Sequence, residues 1–364
     1  MNKKCMRLFA EIMILCSVIF MFGCINNEKP VDLKVKADSV QTITVGRPGL
    51  DIKIACIILA SELDYYGEEG VNVEFETVSN LADGMTAVSQ GKLDVLPFGV
   101  IPSCTFVSQG SDVVVFGGTI SEGSEAVVLP ENIDRYKNTE NFRGINIGCY
   151  RMETGHMVMK GVLREAGLDV NSDVNFVYLD SQQSIVEAIK KGEVDLGFVN
   201  SGYGYIARKS GLDVTFHVSE FSSDFPCCRQ TTNRAALTEK RDALVKFTMA
   251  NLRAYDTLQK DRAVSIDALV NYCGQDKEYV ENVIYGSDVY DAAMKVSLDP
   301  NKNKVCQFYK IMKDNGDIDE NTQYGMENHV DTAIYQEALE KLIERESDNK
   351  TYLELMDEFK VNNQ

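Results

Sequence analysis

Residues 68–100, EEGVNVEFETVSNLADGMTAVSQGKLDVLPFGV, and residues 165–200, EAGLDVNSDVNFVYLDSQQSIVEAIKKGEVDLGFVN, repeat one pattern. Each predicts a helix that ends at glycine, an alternating strand, an amphipathic helix, a second glycine and a short strand of the form G-x-(L/V)-D. The second copy carries the additional residues NSDV at 171–174. Five elements in the same order indicate an internal duplication rather than two unrelated helix–strand units.

Strands that alternate with helices predict parallel βαβ units with right-handed crossovers. A duplicated set of such units predicts two similar α/β lobes. Ligands of open parallel sheets bind beyond the carboxyl ends of the strands. We therefore expect the turns that follow these strands to face one another across a gap between the lobes.

The composition of the chain sets limits on its partners. Its 364 residues are 44% hydrophobic, which is enough for one large or two ordinary domains. The formal net charge of -18 argues against a nucleic-acid partner, because phosphate backbones are bound by a surplus of lysine and arginine. Solubility is the simplest purpose of such a charge.

The first 24 residues differ from the rest of the chain. Lys3, Lys4 and Arg7 precede the apolar stretch IMILCSVIFMFG at 12–23, and Cys24 follows it. A bilayer span needs about 20 apolar residues, so the stretch is typical of an export signal. It resembles a bacterial lipoprotein signal, in which cleavage leaves Cys24 as the lipidated first residue and 25–40 as a polar tether. An uncleaved membrane anchor is the alternative.

Ten cysteines are present. Cys5 and Cys16 would leave with the signal and Cys24 would carry the lipid, so seven remain. Most of these lie singly in apolar surroundings, as buried free thiols do. The adjacent Cys227 and Cys228 lack the spacing of a zinc site, and a disulfide between neighbours would be strained. We therefore expect no metal and no cofactor.

Five segments carry a family resemblance through their order and spacing. They are residues 43–75, 91–118, 141–169, 192–211 and 329–342, the last reading HVDTAIYQEALEKL. Together they resemble the solute-binding proteins of ABC importers in the nitrate, sulfonate and taurine group. The resemblance implies a type II periplasmic-binding-protein fold, in which two doubly wound α/β lobes are joined by two hinge crossings. It also implies a monomeric receptor outside the cytoplasm, with a small-molecule ligand, an ABC permease and its ATPase as partners.

By that analogy the crossings lie near EAVVLPEN at 125–132 and PCCRQTTN at 226–233. Residues 41–127 and 230–364 would then form the first lobe, which is interrupted by a second lobe at 128–229. The remaining helices return to the first lobe.

The turn GRPGLDI at 46–52 places Arg47 at the end of a predicted strand. We expect its guanidinium to enter the cleft and bind a carboxylate or sulfonate through two parallel hydrogen bonds. Arg151 and Arg229 are expected to join it. Thr154 and Ser79 stand at predicted helix starts, where free N–H groups favour anions.

The strand-end turns supply the other candidate ligand contacts. The full set is Arg47, Pro48, Gly49, Asp51, Ser79, Asn80, Phe98, Gly99, Val100, Thr119, Tyr150, Arg151, Thr154, Gly155, Asp180, Asn200, Tyr203 and Arg229.

Each group of candidates also has a structural interpretation. The arginines can be solvated or structural charges, and Thr154 and Ser79 can be plain N-caps. Asp51 and Asp180 either neutralise the arginines or hold the amine of a zwitterion. Aromatic residues can stack on a flat ring or belong to the core.

Catalytic motifs are missing from the sequence, since it contains no GxSxG elbow, no HExxH pair and no P-loop. We expect a binding protein for a small organic anion or zwitterion rather than an enzyme. A thiamine-precursor pyrimidine or another flat heterocycle is the first alternative ligand. An enzyme on the same fold, such as a pyrimidine synthase or a dehydratase, is the second alternative.

Overall fold

The computed structural model describes residues 40–151, 153–291 and 294–364. The predicted signal, the Cys24 lipidation site and nearly all of the predicted tether lie outside these residues. None of the helices in the described ranges is long and apolar enough to cross a bilayer.

The first part of the chain alternates strands and helices. Its elements are β1 Thr42–Arg47, α1 Ala55–Glu62, α2 Tyr65–Glu69, β2 Asn72–Thr77, α3 Leu81–Ser89, α4 Val100–Ser108 and β3 Val113–Glu122. The middle of the chain repeats the alternation. Its elements are β4 Ser124–Val128, β5 Asn146–Cys149, α5 Thr154–Glu165, β6 Asn175–Tyr178, α6 Gln182–Lys190, β7 Leu196–Asn200, α7 Tyr203–Lys209 and β8 Asp213–His217.

The last part of the chain is mostly helical. Its elements are β9 Pro226–Asn233, α8 Arg234–Glu239, α9 Arg241–Lys260, α10 Arg262–Cys273, α11 Lys277–Tyr285, β10 Met294–Val296, α12 Lys302–Asp314, α13 Ala333–Arg345 and α14 Lys350–Asn362. Helix α9 lies against α1, α2 and α13. Its Phe247 stacks on Tyr66 with ring centroids 5.3 Å apart, so these helices return to the beginning of the chain.

One β layer contains strands from both ends of the chain. Strands β1 and β2 are parallel, and β9 pairs antiparallel with β3, which also pairs with β10. The segment 94–96 joins these sheets, because Val95 bridges to Val45 and Leu96 bridges to Thr231. The order across this first layer is therefore β2, β1, 94–96, β9, β3, β10.

The second layer is a five-stranded sheet with the order β6-β5-β7-β4-β8. Strands β5, β6 and β7 are parallel to one another, and β4 runs antiparallel to β7 and β8. This order repeats the first five strands of the other layer. The structure thus confirms the predicted α/β fold and the duplication, with β1, β2 and 94–96 equivalent to β5, β6 and β7.

The repeated G-x-x-D turn has one structural role in both layers. The carboxylate of Asp94 accepts a hydrogen bond from the Thr44 N–H at 2.8 Å, and that of Asp195 accepts one from the Asn146 N–H at 2.9 Å. Each aspartate therefore ties the start of the third strand to the first strand of its own layer. In the first layer Asp94 also forms a salt bridge of 2.8 Å with Lys240, which lies between α8 and α9.

Strand pairing places the change of layer earlier than the sequence predicted. Strand β3 stays in the first layer to Glu122 and β4 begins the second at Ser124, whereas the crossing was expected near 125–132. Glu122 and Gly123 both adopt left-handed backbone angles, with φ of 63° and 71°, and this turn redirects the chain. The return crossing lies at 218–225, because all of β9 pairs with β3.

Candidate functional site

The carboxyl ends of the parallel strands enclose a cleft of about 490 Å³ between the two layers. The first-layer half of the lining is Pro48, Asp51, Lys53, Ser79, Asn80, Leu81, Ala82, Phe98, Gly99, Cys227 and Cys228, and the second-layer half is Tyr150, Thr154, Asp180, Ser181, Gln182 and Asn200. Corresponding turns of the duplication thus face each other, as the turns after parallel strands should.

A second cavity of about 310 Å³ shares part of this lining. It adds residues of the turns and of the α10–α11 region, namely Gly49, Leu50, Ile52, Ser201, Tyr203, Cys273, Gln275 and Tyr279. Because Pro48, Asp51 and Lys53 line both cavities, the two are neighbouring parts of one crevice.

Twelve of the sequence-predicted ligand contacts line one or both cavities. They are Pro48, Gly49, Asp51, Ser79, Asn80, Phe98, Gly99, Tyr150, Thr154, Asp180, Asn200 and Tyr203. The other six, Arg47, Val100, Thr119, Arg151, Gly155 and Arg229, line neither.

Arg47 lies beside the cleft lining and not in it. Side chains alternate along a strand, so Arg47 shares a face with Ile43 and Val45, which are buried under helices. Its guanidinium lies 5.2 Å from the ring centres of both Phe75 and Tyr272. The alternation of side chains within TITVGR could have predicted this orientation. The expectation that Arg47 enters the cleft relied instead on its position at the end of the strand.

Arg229 is fully buried inside the first layer. It donates hydrogen bonds to the carbonyls of Ile120 and Cys228, both at 2.9 Å, and to the Ser121 hydroxyl at 3.0 Å. Burial lowers the pKa of its guanidinium, and the nearby Asp299 opposes that effect. Arg229 therefore acts as a structural link between β3 and β9.

The remaining residues outside the lining have other partners. Arg151 is exposed and lies 4.5 Å from the centre of the Tyr178 ring. Thr119 is buried and donates to the Pro97 carbonyl, and Val100 is buried in the first turn of α4. The three predicted arginines thus provide no charge to the cleft lining.

Side chains of the chain itself occupy the helix starts that were expected to bind anions. Glu153 accepts hydrogen bonds from the N–H groups of Gly155 and His156, each at 2.7 Å, and is itself buried. In the same way Asn80 caps α3 and Ser181 caps α6. The interpretation of Ser79 and Thr154 as N-caps is wrong, because the preceding or following residue holds that position: Asn80 caps α3 and Glu153 caps α5.

Lys53 is the cation that sequence reasoning missed. Its ammonium lies 2.9 Å from the Asp51 carboxylate, and its side chain is only 13% exposed. Burial alone would lower the pKa of Lys53, but the adjacent Asp51 carboxylate, with a smaller contribution from Cys228, overcomes that effect and raises it. Lys53 is therefore charged in the cleft and keeps an exposed edge toward it.

Strand β9 brings two thiols to the same cleft. Cys227 and Cys228 are free and buried, and their sulfurs are 4.0 Å apart. Both cysteines and Lys53 line the part of the cleft that belongs to the first layer. Among the described residues, no group of three or more His, Cys, Asp and Glu side chains is placed to hold a metal ion.

The acidic and basic side chains of the larger cavity are Asp51, Asp180 and Lys53, so two carboxylates accompany one ammonium group. Most of the other lining groups are amides, hydroxyls and rings. This arrangement can form many directed hydrogen bonds and can hold groups of either charge, but it lacks the arginine fork that grips a bare oxyanion.

Comparisons with known proteins agree with this architecture. The sequence profile described as NMT1/THI5 like matches residues 51–265, which is more than half of the chain. The chain therefore belongs to the NMT1/THI5-like family. No curated protein sequence matches it significantly.

Several solved structures share the fold at low sequence identity. The alkanesulfonate-binding protein of Xanthomonas axonopodis pv. citri bound to MOPS has a TM-score of 0.61 at 16% identity, over 81% of this chain and 99% of that one. The periplasmic nitrate-binding protein of Synechocystis PCC 6803 has a TM-score of 0.69 at 12% identity, over 86% and 92%. The desulfurization enzyme DSZB has a TM-score of 0.58 at 12% identity, over 83% and 99%. The predicted likeness in fold to nitrate- and sulfonate-binding proteins is confirmed.

Proposed function

We propose that the protein is the solute-binding receptor of an ABC importer, held outside the cytoplasm by a lipid on Cys24. The observation that carries this proposal is the cleft itself, whose lining comes in corresponding turns from both layers. A ligand between two such walls favours the arrangement in which both walls touch it. The closed receptor would then deliver the solute to its permease and ATPase.

The two crossings supply a place where the walls can move. Glu122 and Gly123 turn the chain from the first layer to the second, and residues 218–225 return it. These segments lie together, because the Glu122 N–H donates to the Phe225 carbonyl at 2.8 Å and the Asp224 N–H donates to the Glu122 carboxylate at 2.9 Å. The proposed lobes are thus connected by two short, adjacent chain segments, as a hinge requires.

The lining supports a zwitterionic organic solute more than a simple anion. Lys53 is a partner for an acidic group, and Asp180 in the opposite wall is a partner for an amine. With two carboxylates to one ammonium group and no arginine in the lining, a nitrate ion or plain alkanesulfonate would gain less than a taurine-like molecule. A flat nitrogen heterocycle is the second candidate, because Phe98 and Tyr150 offer rings and Asn80 and Asn200 offer amides.

Thermal-shift screening followed by calorimetry tests this proposal. The panel contains taurine, an alkanesulfonate, nitrate and a hydroxymethyl pyrimidine. We expect saturable binding of taurine or the pyrimidine, accompanied by a smaller radius of gyration in X-ray scattering. Binding of nitrate alone would contradict the ligand class, and conversion of a ligand detected by mass spectrometry would support an enzyme instead.

A further inference from the structure

Two consecutive cysteines of β9 point to one side, which an ordinary strand does not allow. The pairing with β3 explains the exception. Ser121 is opposite Pro226 and Ile120 is opposite Cys228, so Cys227 is the additional residue of a β-bulge. The bulge brings the two side chains together, with their sulfurs 4.0 Å apart, and both residues line the cleft.

The surroundings of Cys228 favour its thiolate form. The hydrogen bond with Cys227 lowers the pKa of the Cys228 thiol, and the Lys53 charge and the Gly99 N–H lower it further against the effect of burial. Gly99 is the N-cap residue of α4 and has no side chain to occupy the helix start. In contrast, burial raises the pKa of the Cys56 and Cys104 thiols.

We propose that Cys227 and Cys228 form a dithiol site that captures thiophilic trivalent metalloids, the simplest organic class being a monosubstituted arsenous acid, RAs(OH)2. Thiolates are the reactive form of cysteine and the preferred ligands of soft centres. Two bonds of about 2.3 Å, the length of a typical bond from thiolate to metal, reach across the 4.0 Å between the sulfurs at a bent angle.

The reaction needs no oxidant or reductant. The Cys228 thiolate and then the Cys227 sulfur each form a bond to arsenic, and the two As–O bonds break. The Cys227 proton and one proton from solvent convert the departing hydroxyls to two waters. Arsenic stays trivalent and keeps its organic substituent, so two sulfurs complete its coordination.

Other uses of the two sulfurs fit the geometry less well. A disulfide requires a separation of about 2.05 Å and strains adjacent residues, whereas these sulfurs are 4.0 Å apart. A four-coordinate zinc site needs more protein ligands, and the described residues supply no group of three or more. The dithiol site is independent of which solute the cleft transports, since it depends on β9, Lys53 and Gly99 alone.

Phenylarsine oxide, which hydrates to the proposed class, is the probe. The reduced full chain is treated in excess glutathione, which displaces adducts on single thiols, and is then mapped by peptide mass spectrometry. We expect one phenylarsenic group, with both thiol protons lost, on the peptide that contains Cys227 and Cys228. A dithiol such as dithiothreitol should remove it. An unmodified peptide in the wild-type protein would overturn the proposal without any variant.

Serine variants distinguish two-point capture from attack on one thiol. Cys227→Ser and Cys228→Ser should each lose the glutathione-resistant adduct, whereas the control Cys306→Ser should keep it. Cys306 is half-buried on α12 and does not line the cleft. Its variant therefore makes the same cysteine-to-serine change away from the proposed site. Circular dichroism verifies that each variant is folded. Retention of the adduct in either folded cleft variant would refute the dithiol.

Discussion

The two layers of the duplication share their strand order, but their equivalent positions carry different chemistry. The register identifies these positions, because Leu96 pairs with Thr231 in the first layer and Gly197 pairs with Val127 in the second. Cys228 is then equivalent to Ser124, and Arg229 to Glu125. Likewise the caps Asp51 and Glu153 make Lys53 equivalent to Gly155.

Because of this difference, the first wall has a cation and two thiols where the second wall has close helix–strand packing. In the second layer a Cβ atom on Gly155 would lie 2.0 Å from the Ser124 hydroxyl, so helix α5 fits closely against β4. In the first layer a lysine occupies the same position and lines the cleft together with two cysteines. The same position of the duplicated fold therefore accommodates a lysine in the first layer and requires a glycine in the second.

The buried charges at the equivalent positions also have opposite signs. Glu125 is fully buried and accepts hydrogen bonds from the Tyr290 hydroxyl and from the Gly204 N–H. Burial raises its pKa to about 7, although those two hydrogen bonds oppose the change. Arg229 instead keeps its charge among carbonyl oxygens, because a guanidinium remains protonated at any ordinary pH.

The largest expected effect concerns Glu125. The folded protein holds the Glu125 proton to a higher pH than the unfolded chain, so this group stabilises the fold at low pH and its contribution is lost between about pH 4.5 and 7. The loss amounts to about 3 kcal/mol. Glu125→Gln should abolish it, so that the variant gains on the wild type as the pH rises from 5 to 8 in denaturant titrations. Parallel pH profiles would contradict this assignment.

The two tying aspartates give the next effect. Asp94→Ala should lower the free energy of unfolding by about 2–3 kcal/mol and Asp195→Ala by about 1–2 kcal/mol. Both leave a strand N–H without its acceptor, but only Asp94 also holds Lys240. Urea unfolding measures both, and equal losses would show that the additional contacts of Asp94, with Lys240 and the Thr44 hydroxyl, do not add to stability.

A third prediction concerns the cation of the cleft. Lys53→Met should weaken binding of the solute identified by screening by about 2 kcal/mol, or about 30-fold, because a charged hydrogen bond is lost. Arg47→Met is the matched control, since it removes the same charge from outside the lining. Calorimetry should find its affinity unchanged. The reverse result would return Arg47 to the site.

The smallest effect concerns the glycine of the second wall. Gly155→Ala should lower stability by about 1–2 kcal/mol, because the new methyl group collides with Ser124. Gly161 lies in the same helix, and a Cβ there would meet Ile311 at an ordinary 3.7 Å. Gly161→Ala should therefore raise the melting temperature slightly through helix propensity. A loss in both variants would point to the helix and not to the close contact.

The sequence was sufficient for the architecture and for part of the site. Alternation and glycine placement predicted the repeated strand–helix units, and the rule for parallel strands located the turns that line the cleft. The sequence could not reveal the bulge at Cys227, because the bulge depends on the register of β9 against β3. The same holds for the layer change at Glu122, which rests on a backbone angle that few glutamates adopt. Lys53 escaped notice because it lies inside the first helical turn, past the residues that end the strand.

The topology also fixes the order in which the layers can be completed during synthesis. All five strands of the second sheet lie within Ser124–His217, whereas the first layer lacks β9 until Asn233 has been made. Because a chain emerges from its amino terminus, the later half of the duplication has its whole sheet available first. In the earlier half the gap between 94–96 and β3 stays open until β9 has been made. Strand β9 is the last of the five strands that have a counterpart in the second sheet.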